Sequence, residues 1–300
     1  MRERHLWGEA MSMSPRLLRP RQTLHPEAAS WASRVVANGG TVSGTTLSAV
    51  DKFCKAIASA GIRDRFYRLN LFCGTGLNAA LVPLYRGPSL GGTQYGGTTD
   101  TNVGSLFVSG NYSETTGLST TAGGGQYLNT GLSPNDMALA DVQAMHLAAS
   151  HGPVPGSDLD PRPIGAHGPS DRFSLVLSIR ASTAGQLGVA MGRTNQLNSA
   201  SIPSGAQPSA SWIGSRTSAT SLVIYKNGSA DATLATSVTG IASHAFPFFV
   251  GRINNAGSPL GDSAALPHRH YSIGGALTGA QAASYESALS AFRTALGRTA

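Results

Sequence analysis

The chain has 300 residues, 41% of them hydrophobic, which is enough for one large domain and a small appendage around a sizeable core. Aromatics (7%) and charges (12%) are sparse while glycine reaches 37, a balance that favours short strands and tight turns over long helices. The net charge of +7 comes almost wholly from arginine, since only Lys52, Lys55 and Lys226 are lysines, and no run approaches the ~18 apolar residues of a membrane span.

Much of the basic excess precedes residue 70, in Arg2, Arg4, Arg16, Arg19 and Arg21 and then Arg63, Arg65 and Arg68. Residues 1–24 therefore read as a basic, disordered arm that can meet an acidic surface. No aromatics interleave with these arginines to stack on bases, so nucleic acid is not an expected partner. The first thirty residues lack an apolar signal core, so export by the general secretory route is not expected, and Met11 and Met13 offer later start sites.

Residues 25–98 are expected to form a helical hairpin and a linker region. Pro26 suits a first helical turn, Glu27 follows where the dipole favours an acid, and Trp31, Val35 and Val36 make an apolar stripe that stops at Asn38-Gly39-Gly40. A second helix starts near Thr45 or Thr46, spaces Leu47, Val50, Phe53, Cys54 and Ile57 along one face, and ends at Gly61. Two such narrow faces must dock on something, either the chain's own sandwich or a larger assembly. Leu69 and Leu71 then share one face of a strand, Gly74-Thr75-Gly76 makes a loop, and 77–84 adds a short helical turn. Cys54 and Cys73 are the only cysteines; without a Cys-x-x-Cys spacing they read as reduced and buried, the alternative being a single bridge between them.

Residues 99–300 carry the β pattern. Asp136 to Ser150 reads as strand or short helix alike. Five prolines between Pro153 and Pro169 make 151–170 an extended loop and hence a contact surface. Alternation resumes at 173–179, with further strands at 186–191 and 209–213. The clearest local instruction is Leu222-Val223-Ile224-Tyr225, then Lys226-Asn227-Gly228-Ser229, then Ala230-Asp231-Ala232-Thr233-Leu234. Asn-Gly supplies the two positive-φ residues of a type I′ turn, so this is a β-hairpin within 221–239. Simple register sets Tyr225 opposite Ala230 and Val223 opposite Ala232, with one apolar face. Strands at 246–251 and 271–275 follow, and Thr278 N-caps an Ala-rich helix running to Leu296.

That order of hairpin, Val-Gly strand, Ser-Ile-Gly strand and Leu-Thr helix resembles the end of LamG-like, concanavalin A-like β-sandwich domains. It is most similar to those found in bacteriophage and prophage virion proteins and in uncharacterised bacterial proteins. The phrase Gly-x-Tyr-x-Glu-x-x-Gly-Leu at 110–118, followed by Tyr-Leu-Asn-Thr-Gly at 127–131, is how that family leads into its first sandwich strand. The resemblance covers roughly the last two thirds of the chain. It implies a mainly β, concanavalin A-like jelly-roll sandwich with a small N-terminal helical hairpin and a C-terminal helix.

Catalytic signals are thin. Folds of this kind include glycoside hydrolases, but the acid-rich strand that would line their groove is absent, and glutamate occurs only at 3, 9, 27, 114 and 286. Asp158 and Asp160 offer a Ca2+-type oxygen pair or a merely solvated one. His268 and His270 set two imidazoles on one side of an extended strand, able to hold zinc or copper only with a third ligand. His146, His151 and His167 flank the proline-rich loop near Asp158 and Asp171, without a Gly-x-Ser-x-Gly elbow. Glycine-rich 74–76 and 123–125 lack the Lys-Ser/Thr of a phosphate loop.

The expectation is a non-catalytic structural or adhesive protein of a virion or phage-derived particle, contacting a glycan or neighbouring subunits, and able to form homo-oligomers. Tyr95, Asn195, Asn198, Trp212 and Asn254 are the loop residues expected to carry recognition, Trp212 having burial as its other reading. The alternatives are a carbohydrate-active hydrolase with an unrecognised acid pair and a bacterial cell-surface module.

Overall fold

The computed structural model describes residues 23–154, 160–178, 182, 184–193, 198–234, 241–261 and 265–298. Residues 1–22 of the expected arm at 1–24, Asp158, Asn195 and the end of the hairpin segment beyond Leu234 therefore lie outside the described residues.

The chain begins with α1 (Pro26–Ala37), α2 (Gly44–Ser59), β1 (Phe66–Asn70) and α3 (Leu77–Ala80). Short strands follow: β2 (Thr101–Asn102), β3 (Tyr112–Ser113), β4 (Gly117–Ser119) and β5 (Leu128–Asn129). After α4 (Leu139–Gln143) come the long strands β6 (Met145–His151), β7 (Ile164–His167), β8 (Asp171–Ser178), β9 (Gly185–Arg193), β10 (Asn198–Ile202) and β11 (Ala210–Ser218). The hairpin β12 (Ser221–Lys226) and β13 (Ser229–Leu234) precedes β14 (Phe249–Val250), β15 (Ile253–Asn255), β16 (Ser258–Leu260), β17 (Pro267–Gly275) and α5 (Gly279–Ala295).

Two sheets face one another. The first runs β13-β12-β11-β6-β17-β4-β3, with β1 also paired to β17; the second runs β10-β9-β8-β7-β14-β5-β2, with β15 on β7 and β16 on β15. Between them lies one core that includes Leu147, Phe173, Val189, Trp212, Ile224, Phe248, Tyr271 and Ile273. The protein is thus mainly β, a two-sheet sandwich flanked by N- and C-terminal helices, as the resemblance implied.

The outer face of the first sheet is covered too. Trp31 and Val35 of α1, Phe53, Cys54 and Ile57 of α2, and Tyr285, Leu289 and Phe292 of α5 pack in a second core against Phe66, Leu69, Ala148, Ile213 and Tyr225. The helical hairpin docks on its own sandwich. Val36, placed in the α1 stripe by spacing, is instead 66% exposed. Both cysteines are free and buried, and burial raises both thiols to about 12.

The structure departs from the sequence reading in three places. All seven residues of β6 are buried, Met145, Leu147 and Ala149 facing the other sheet while Ala148 faces the helices, so the alternation that marks a half-exposed strand is missing there. The ambiguous 136–150 stretch is in fact a short helix and then this strand. The hairpin turn is as expected, with φ of 49° at Asn227 and 80° at Gly228, and Tyr225 pairs with Ala230. Beyond that the register shifts: Ile224 pairs with Ala232 and Val223 with Thr233 across a bulge. The extra residue is Asp231 on β13; on β12 the ordinary alternation sends Tyr225 into the helical core and Ile224 into the inter-sheet core, so both faces are apolar and buried. The third is β7: Ile164–His167 pairs with β8 and β14 inside the stretch expected to be all loop, because Pro161 and Pro163 precede it rather than interrupt it.

The 110–118 phrase works as a staple between sandwich and helices. Tyr112 Oη donates to the Gly74 carbonyl at 2.7 Å, and Glu114 Oε1 accepts from Thr46 Oγ1 and the Gly74 amide, each at 2.8 Å. Arg298, just past α5, donates to the carbonyls of Leu71, Phe72 and Glu114 and locks the same corner.

Candidate functional site

Thr278 and Gln281 form a reciprocal capping box that starts α5, and Ser215 Oγ bonds both the carbonyl (2.8 Å) and the amide (2.9 Å) of Leu277, anchoring the helix start on β11. The helix buries Ala282, Tyr285, Leu289 and Phe292. Its adjacent face, Ala283, Glu286, Ser287, Ser290 and Arg293, repeats at three- and four-residue spacing and looks across a gap. Opposite stand the ends of β6 and β11, Arg269 of β17, and the turn of the β12–β13 hairpin. The gap is a cleft of about 420 Å³.

Gly228 sets the width of one end. A Cβ there would lie 2.8 Å from Glu286 Cβ, so turn and helix touch only because this residue has no side chain. Asn227 holds the turn to the sheet: its Oδ1 accepts from the Ser211 amide at 2.9 Å, and its own amide donates to the Ser211 carbonyl at 2.8 Å.

The cleft wall is rich in hydroxyls, with Ser150, Ser209, Ser211, Ser229, Ser287 and Ser290, and carries two guanidiniums. Arg269 Nη1 donates to Ser209 Oγ at 3.1 Å, and Arg293 pairs with Glu286 Oε1. The other Glu286 oxygen and Ser211 Oγ are buried without a hydrogen-bond partner. Burial, then the nearby charges of Arg298 and Arg293, lower the pKa of Arg269. Ser150 Oγ shares a hydrogen bond with His270 Nδ1, and His270 stacks edge-on to Tyr285 at 5.9 Å. Burial and the Arg293 and Arg298 charges hold this imidazole neutral, its pKa well below the ordinary histidine value. His270 Nε2 has no hydrogen-bond partner, so no acid orients the ring as a serine nucleophile's base requires. Glu286 is the one carboxylate among the described lining residues, whereas glycoside hydrolysis requires two facing the bond. What the arrangement offers is hydrogen bonding and positive charge.

His268 and His270 do not share a side. The register between β17 and β6 shifts between them, so His268 pairs with His151 and His270 with Ser150. Arg269 is the extra residue; His268 turns toward the inter-sheet core, where a Cβ on Gly251 would lie 3.7 Å from its Nε2, and His270 turns toward α5. The two imidazoles cannot jointly hold an ion, and among the described residues no three His, Cys, Asp or Glu side chains converge as a metal site. Asp160 is exposed, and its expected companion Asp158 is outside the described residues.

Among the described residues, Tyr95, Trp212 and Asn254 do not line this cleft, and Asn195 lies outside the described residues. Trp212 is buried, its indole N–H donating to His151 Nε2 at 3.3 Å and its ring lying 5.0 Å below the Lys226 ammonium. Asn254 is buried with Nδ2 on the Pro247 carbonyl and Oδ1 on the Gly257 amide, both at 2.8 Å. Tyr95 is half-buried against Tyr67 at 5.6 Å, and Asn198 belongs to β10, opposite Val189. Sequence reasoning missed the cleft because its members come from five separated segments; the one available signal was the polar 283/286/287/290/293 face of a helix whose other face is apolar.

No protein-family model matches the chain, and no curated protein matches it. Among solved structures it is similar to the heptameric SAP-like pentraxin from Limulus polyphemus, at 14% identity over 47% of this chain and 68% of that one, with a TM-score of 0.37. It is also similar to domain 4 of AbnA, a GH43 extracellular arabinanase from Geobacillus stearothermophilus in complex with arabinotriose, at 16% identity over 56% and 76%, TM-score 0.35. Trypanosoma rangeli sialidase is a third, at 15% identity over 57% of this chain and 27% of that one, TM-score 0.39. The chain thus spans about a quarter of the sialidase.

Proposed function

We propose that this protein is a non-catalytic glycan-binding protein, and that the cleft between α5 and the first sheet holds the saccharide. The observation that carries this is the lining: serine hydroxyls and two guanidiniums around about 420 Å³, with one carboxylate among the described residues. That volume lies in the range of small-ligand pockets and suits one or two sugar rings, which present hydroxyls in every direction. A turnover role would need a second carboxylate across the cleft. The finer reading is an adhesive or structural subunit of a phage-type virion; the 110–118 phrase and the order of the C-terminal elements support it.

A glycan array followed by a reducing-end assay tests the reading. Saturable binding that Ser290→Trp abolishes by filling the cleft, with no new reducing ends released, is the expected result. Release of reducing ends from any bound glycan, or undiminished binding by the filled variant, overturns it. Electron microscopy and mass spectrometry of purified particles test the virion reading: the chain must appear as a stoichiometric component.

A further inference from the structure

The cations at the cleft have partners inside the protein. Arg293 pairs with Glu286 Oε1, Arg269 donates to Ser209 Oγ at 3.1 Å, and Arg298 donates to the carbonyls of Leu71, Phe72 and Arg269. Two atoms of the lining residues do not: Glu286 Oε2 and Ser211 Oγ, in residues 6% and 1% exposed. Both side chains are held in place by neighbours. Gly228 packs on the stem of Glu286, and Arg293 takes its other oxygen. The Ser211 amide and carbonyl are both engaged by Asn227, leaving its hydroxyl.

A buried carboxylate oxygen without a donor is costly, and so is a buried hydroxyl without a partner. Charge decides what can answer them. A carboxylate or sulfate against Oε2 would set like charges together, and an ammonium would stand beside the Arg293 guanidinium that shares the same carboxylate. A neutral hydroxyl meets neither penalty. It donates to Oε2 in a charge-assisted hydrogen bond, and a second hydroxyl can donate to or accept from Ser211 Oγ. Among the described lining residues there is no Trp, Tyr or Phe on which a sugar ring could stack, so hydrogen bonds carry the selection.

We infer that the saccharide held in the cleft is neutral, and that Glu286 Oε2 and Ser211 Oγ select it by bonding two of its hydroxyls. This rests on the reading that the cleft binds a glycan, and it adds the ligand's charge class and the residues that choose it.

An array of neutral glucose, galactose, mannose and arabinose tetrasaccharides, each printed beside a uronate or sulfated counterpart, tests it on the full chain. At least one neutral member is expected to bind tenfold or more tightly than its acidic counterpart, with an affinity that stays level as salt rises. Ser211→Ala is expected to weaken binding of that neutral tetrasaccharide about tenfold while the free protein melts no earlier, because the substitution removes an orphaned hydroxyl. Glu286→Gln keeps an oxygen for Arg293 and is expected to weaken the same binding by about tenfold or more; should it melt early, Ser211→Ala decides alone. Acidic counterparts that bind as tightly as the neutral members overturn the neutral assignment. Neutral binding that Ser290→Trp abolishes but Ser211→Ala and Glu286→Gln leave unchanged overturns the selecting residues. Either result leaves the glycan reading standing, whereas silence across the whole array overturns both.

Discussion

The two faces of the first sheet are both buried, yet they are buried for different ends. The inner face is closed against the second sheet, and Trp212, Ile224 and Tyr271 there belong to one continuous core. The outer face is closed by helices over most of its area, through Phe53, Tyr285 and Phe292, and opens at one end into the serine-lined cleft. Helices can cover a sheet partially where a second sheet covers it wholly, because a cylinder crossing a twisted surface leaves a wedge at its flank. Ser211 Oγ and Glu286 Oε2, both buried without a hydrogen-bond partner, belong to residues that line that wedge.

Acid offers the largest test of whether the faces are one cooperative unit. Burial pushes His146 and His151 down to about 4 and His268 to about 3, against ~6.5 in the unfolded chain. Depressed folded values mean the unfolded state binds more protons, so stability is complete above pH 6.5 and is lost as pH falls toward 4. Each histidine contributes roughly 3 kcal/mol to that loss. Trp31 reports on the outer core and Trp212 on the inner one, so single-tryptophan fluorescence is expected to show both melting together between pH 6.5 and 4. Separate transitions would divide the faces into independent units.

Truncating one large ring in each core sharpens the same comparison. Phe173→Ala on the inner side and Phe53→Ala on the outer side are each expected to cost about 3–5 kcal/mol in urea unfolding, both rings being at most 2% exposed. An outer loss below about 1 kcal/mol would mean the helices are loosely applied. Gly228→Ala, with φ of 80° and the Glu286 contact, is expected to cost about 2 kcal/mol and to weaken glycan binding together. Unchanged binding would put the ligand elsewhere. Thr278→Ala removes one half of the α5 capping box and is expected to cost about 1 kcal/mol, read as a small shift in denaturant midpoint. A neutral result would show that the Ser215–Leu277 hydrogen bonds alone secure the helix start.

Local chemistry was legible wherever a residue's own constraint dictates its conformation. The Asn227-Gly228 turn, the Pro26 and Thr278 helix starts, and the stops at Asn38-Gly39 and Gly61 all lie where the sequence places them. The β6 strand was not legible, because it is buried on both faces and alternation disappears there. The cleft was equally hidden: Ser150, Ser211, Arg269 and Glu286 have nothing in common along the chain.

By itself, then, the amino-acid order determined which segments turn, which extend and which coil, since positive φ, capping hydroxyls and apolar spacing act over a few residues. Register and facing were decided only in the folded molecule. The bulge at 268/270 turns His268 and His270 to opposite faces, one toward the inter-sheet core and the other toward α5, and both neighbours come from distant segments of the chain. The same bulge that parts His268 from His270 delivers Arg269 to the cleft.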